Sequence, residues 1–150
     1  MLPLKLLQYH NTNVVNRFVQ YYAISPSEAK AIFEQLKLFL YISVQYSNKK
    51  NKRINIVDET FVIDEMWHFF ILFTQDYYTF CMNMFGEFYH HIPTATRNES
   101  ISSVELREQI QYIASICGEE TVRLWYQDWA VKYNAKKMHA LSILPNIDFE

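Results

Sequence analysis

Residues 64–93 read DEMWHFFILFTQDYYTFCMNMFGEFYHHIP, and the fold turns on whether this stretch is one long helix or two. A helix carrying Trp67, His68 and the apolar run to Phe73 should begin between Asp58 and Asp64, both able to cap it. Thr74 can cap a fresh helix with Gln75 and Asp76 in its first turn, and Gly86 is a C-terminal stop before EFYHHIP. The spacing therefore predicts helices over about 60–73 and 75–86, joined as a hairpin over residues 60–86. The break matters chemically. Thirteen residues of unbroken helix would hold Cys81 about 20 Å from His68, whereas a turn at Thr74 to Asp76 brings the two level.

Helical spacing extends to both sides. Val14, Val15, Phe18, Val19 and Tyr22 mark an amphipathic helix from Asn11 to Tyr22. Ser25, Pro26 and Glu28 then read as a capping box with proline at the first helical position. The helix they start should run to about Tyr46, with Ala29, Ile32, Phe33, Leu36, Phe39 and Leu40 facing a core. Two more helices follow, over about 103–117 and 119–134, with Gly118 as the break, and SILPNIDFE reads as an irregular tail. The expectation is an all-α fold of five or six helices in a single domain over 1–150.

Composition agrees and excludes several partners. Half the residues are hydrophobic and 17% aromatic, with 2 glycines and 4 prolines, too little punctuation for a sandwich or a βαβ array. A net charge of -2 provides no concentrated positive field for nucleic acid or an acidic membrane. The run Lys49, Lys50, Lys52 and Arg53 reads as a solvated loop between helices. The first residues are too short an apolar stretch for a signal peptide, and no run of about 18 apolar residues suits a membrane span. A cytoplasmic protein with two reduced thiols, Cys81 and Cys117, is expected.

The chemistry-bearing residues gather in the opening stretch. Asp64 and His68 share a helix face, so the carboxylate can ligate beside the imidazole or orient it from behind. The hairpin would bring Cys81 to them, and Gly86 would let the chain reverse and return His90 or His91. Imidazole and thiolate suit zinc, copper or iron and not magnesium or calcium. Tyr77, four residues before Cys81, could add a phenol. Equally, a histidine beside a tryptophan can be a core residue hydrogen-bonded to an acid, and Cys81 a small buried hydrophobe. Tyr77, Phe80, Phe85, Phe88, Tyr89, Trp125, Tyr126 and Trp129 could line a haem pocket or simply fill the core. There is no H-E-x-x-H, C-x-x-C, nucleophile elbow or phosphate loop, and no oxyanion site adjoins Cys81 for protease chemistry.

The ordered set Asp64, Trp67-His68, Tyr77, Cys81, Phe85-Gly86 and His90-His91 resembles the signature of the glycine-rich domain-containing protein-like family. The resemblance extends over FVQYYAISPSEAKAIFEQLKLFLYIS and GEETVRLWY, with no glycine-rich extension. It implies that His68, Cys81 and His91 belong to one site. His91 ranks above His90 because some relatives look to have Asp-His at this pair. The resemblance implies no reaction. Two functions remain in play. One is a small helical metalloprotein, either an enzyme or an accessory factor. The other is a module for an unidentified protein or small-molecule partner, with Trp125, Tyr126, Trp129 and Tyr133 as anchors.

Overall fold

The 25-residue helix Pro26–Lys50 is the axis on which five other helices pack. A computed structural model describes residues 2–93 and 101–143. Its elements are α1 (Leu4–Gln8), α2 (Thr12–Tyr21), α3 (Pro26–Lys50), α4 (Phe61–Leu72), α5 (Thr74–Phe85), α6 (Ser103–Cys117), α7 (Glu119–Arg123), α8 (Trp129–Lys132) and α9 (Ala135–Leu141). A 3-10 turn, Asp58–Thr60, leads into α4, and a π turn, Leu124–Asp128, joins α7 to α8. The fold is all-α, and among the described residues no helix is long and apolar enough to cross a membrane. There are more helical segments than five or six because α1 and α9 were not anticipated and the last expected helix divides at its π turn.

Helix starts follow the cap chemistry. The side chains of Asn11, Ser25, Ser102 and Asn134 each accept a backbone N–H in the first turn that follows them. At α3 only half of the expected capping box forms, because Glu28 turns away to Lys132 and Tyr133 at 2.8 Å each. Nor does α3 stop near Tyr46: Lys49 and Lys50 belong to its last turn, where cations complement the exposed carbonyls, and Asn51 ends it with φ 53°. Asn134 caps α9 instead of ending the helix before it. All of SILPNIDFE beyond Ile143 lies outside the described residues.

α1, α2, α4, α5 and α6 all contact α3, burying Phe33, Leu36, Phe39 and Leu40. Lys37 lies on the same buried side, with no exposed surface. Its ammonium donates to the carbonyls of Leu6 (2.9 Å), Leu7 (3.3 Å) and Tyr9 (2.7 Å) and pairs with Glu34 Oε2 at 2.8 Å. A buried cation is tolerable only when its donors are used in this way, and here they satisfy the carbonyls at the end of α1.

The expected hairpin is present. The chain breaks at Phe73 (φ −90°, ψ 72°), α4 packs on α5, and Phe70 meets the rings of Tyr77 and Phe80 at 5.1 and 5.2 Å. Thr74 is the first residue of α5 and makes no side-chain cap, so the turn rests on packing and not on the threonine hydroxyl. Gly86 ends α5 at φ 74°, a left-handed conformation that costs glycine little.

Candidate metal centre

Beyond Gly86 the chain doubles back over α4. Tyr89 and His91 both pack on the buried Trp67 indole: Tyr89 stacks on it at 5.7 Å and 9°, and His91 meets it at 4.4 Å and 67°. The intervening His90 is exposed and packs on Phe88 at 4.7 Å. Two clamps hold this return segment. Tyr77 donates its O–H to the Tyr89 carbonyl while accepting the Trp67 Nε1–H at 3.1 Å. From the other side Arg53 lies over the Tyr89 ring, 4.3 Å from its centroid, and donates to the His90 carbonyl.

The clamps deliver His91 to Asp64. His91 Nε2 is 2.7 Å from Asp64 Oδ1, His68 Nε2 is 3.5 Å from the same oxygen, and the two imidazole rings are 4.6 Å apart. One donor atom from each of Asp64, His68 and His91 lies within 4.8 Å of the others, so the three could hold a metal ion. Their side chains are 19%, 46% and 12% exposed, which leaves the cluster open on the His68 side. Ligands about 2.0–2.1 Å from a tetrahedral ion are about 3.3 Å from each other, a spacing that the 2.7 and 3.5 Å separations bracket. Glu65 stands just outside, with Oε2 3.4 Å from His68 Nδ1 and Oε1 accepting the Tyr22 O–H at 2.8 Å. The Glu65 contact, first, raises the His68 pKa above its usual value, aided by Asp64 and opposed by desolvation.

The structure thus brings together Asp64, His68 and His91, and not the whole set read from the sequence. Cys81 is fully buried and is not among the clustered donors. Being level with His68 along the hairpin does not put a residue on the same face, and Cys81 points into the core toward Tyr77 and the Tyr89 backbone. Burial, its largest influence, pushes its thiol pKa up against the opposing pull of those hydrogen bonds. The Tyr77 phenol is committed to Trp67 and Tyr89, and burial raises its pKa too. Among the residues suggested for a haem pocket, Tyr77, Phe80, Tyr89, Trp125 and Trp129 are buried in the core. The proposed partner anchors fare the same way: Trp125, Trp129 and Tyr133 are at most 8% exposed, and the Tyr126 hydroxyl is buried.

Sequence reasoning passed over Glu65, Tyr22 and Arg53. For Glu65 a signal existed, since it is three residues before His68 and so on an adjacent helix ridge. For Tyr22 and Arg53 there was none, because their partners lie 43 and 37 residues away.

No curated protein and no solved structure matches the chain. A family model does match, over residues 5–148, and its description is UCP032817-like. This overturns the resemblance to the glycine-rich domain-containing protein-like family. The chain belongs to the UCP032817-like family.

Proposed function

We propose that this protein binds a divalent transition metal through Asp64, His68 and His91, at a centre that keeps a coordination position for water or a small-molecule ligand. The observation that supports this most directly is the convergence of three donors from two separate segments on one oxygen-centred cluster, at separations one ion can span. Two imidazoles and one carboxylate with an open side suit zinc or iron(II), and the imidazoles also suit copper. A bound ion would supply Lewis acidity at its open position. The residues of the chain do the rest: Trp67 and the Tyr77 clamp orient His91, and the acids beside His68 orient its ring. Whether the centre serves an enzyme or an accessory factor depends on what occupies the open position.

Elemental analysis of protein purified without a histidine tag, followed by zinc, iron(II) and copper titration, tests the reading. A single ion per chain, lost when Asp64 is replaced by Ala, is expected. Protein that keeps none of the three metals after dialysis would sink it. A second reading, a protein-interaction module in which Asp64 merely pairs with two histidines, is favoured by the exposed ledge of Tyr78, Met82 and Phe88. Metal-free protein of unchanged fold that still captures a partner through this ledge would favour it.

A further inference from the structure

We infer that Glu65, pinned by Tyr22, is the positioning residue that sets the tautomer and ring orientation of His68, so that Nε2 presents its lone pair toward Asp64 and His91. The inference rests on the metal-centre reading for its consequence, but its geometry is independent of any ion.

Consecutive acids on α4 bracket one imidazole, one at each nitrogen. Asp64 Oδ1 is 3.5 Å from Nε2 and Glu65 Oε2 is 3.4 Å from Nδ1. A neutral imidazole has one N–H and one lone pair, and the hydrogen bond made by one nitrogen decides which is which. Only the Glu65 contact at Nδ1 is within hydrogen-bond distance, whereas Asp64 Oδ1 is engaged by His91 Nε2 at 2.7 Å, so the proton is held at Nδ1. The lone pair then falls on Nε2, the nitrogen that faces the other two donors. Carboxylate, imidazole and metal in that order is the arrangement that orients histidine ligands and raises their basicity.

Glu65 differs from an ordinary surface partner of a histidine. Its second oxygen accepts the hydroxyl of Tyr22, which is 6% exposed and wedged against Phe18 at 5.0 Å, Tyr21 at 4.8 Å and Phe69 at 6.1 Å. That phenol comes from the end of α2, so a separate helix anchors the carboxylate. His68 needs such a guide. Its side chain is 46% exposed, and among the described residues its one close aromatic neighbour is the His91 ring. Glu65 itself is outside the set of donors that converge, which separates its role from that of a ligand.

Two readouts test this on the full chain. The first is the affinity for cobalt(II) and zinc alone. Glu65→Ala should weaken both by about 10- to 100-fold, Glu65→Gln should weaken them less because its amide oxygen still accepts from Nδ1–H, and Tyr22→Phe should fall between Glu65→Gln and wild type. The second is the His68 tautomer in metal-free protein, read from long-range nitrogen–proton NMR at alkaline pH, where the ring is neutral. Wild type should hold the proton on Nδ1, and Glu65→Ala should move it toward Nε2. If wild type binds neither metal but its tautomer shifts as stated, the metal reading fails and the positioning role stands. If Glu65→Ala leaves both the tautomer and the affinity of a metal-binding wild type unchanged, the inference is overturned.

Discussion

Replacing Tyr77 by Phe removes one oxygen from the core and separates the clamp from the metal centre it serves. Tyr77 is 1% exposed, and its hydroxyl accepts the Trp67 indole N–H at 3.1 Å and donates to the Tyr89 carbonyl. The ring of Phe would keep the contacts with Phe70 and Phe88. Stranding one buried donor and one buried acceptor costs about 1–3 kcal/mol each, so a return segment that stays docked predicts a loss of about 2–6 kcal/mol in unfolding free energy. Lifting the segment off α4 would let water satisfy both groups and limit that cost, but it would also withdraw His91. Because about 1.4 kcal/mol is a factor of ten in affinity, 2 kcal/mol diverted into undocking would weaken metal binding by about 30-fold. Urea unfolding followed by tryptophan fluorescence and zinc titration on the same preparation would partition the two. A variant with wild-type stability and wild-type affinity would refute the clamp.

Single replacement of Asp64, His68 or His91 by Ala should lower zinc affinity by about tenfold or more, since each removes a ligand, whereas His90→Ala should do little because its ring faces Phe88; competition against a chromophoric chelator measures the order, and an effect of His90 equal to the others would contradict the assignment. Both cysteines should be free, with Cys117 reacting in native protein and Cys81 only on unfolding, as their difference in burial implies; fewer than two thiols in denatured, unreduced protein would indicate a disulfide. The hydrogen bond from Lys132, then that from Tyr133, holds the Glu28 carboxyl below the usual carboxylate range. A depressed carboxylate pKa contributes stability that is present above the unfolded value and lost as pH falls through the folded one. The gap in denaturation midpoint between wild type and Glu28→Gln should therefore be widest near neutrality and close below pH 4.5; a gap independent of pH would show that the carboxylate charge plays no part.

Local signals in the chain were legible where one residue type suffices. Asn11, Ser25, Gly86 and Gly118 mark helix ends by backbone chemistry that acts within four residues, and each does so in the structure. Asp64 and His68 were legible as neighbours for the same reason. What needed tertiary geometry was not. The hairpin register put Cys81 level with His68, but the rotation of α5 about its own axis, set by Phe80 and Tyr77 packing against Phe70, decides which residues face the site. The return of His91 depended on Gly86 and on a clamp assembled from Trp67, Tyr77 and Arg53, the last contributed from before α4. The place of Lys37 was not legible at all, because nothing near it in sequence announces the carbonyls it serves.

That lysine also ties two folding events together. α1 is a five-residue helix, far too short to persist alone in water. Its terminal carbonyls are partnered by an ammonium up to 31 residues further along the chain, so α1 is expected to order only together with the first half of α3. The dependence runs both ways. A shortened gene product that begins after Tyr9 would lose little apolar surface beyond Leu6 and the Tyr9 ring, yet it would leave a charge in the interior of α3 with Glu34 as its remaining partner. Trimming this terminus is therefore an operation on the centre of the molecule.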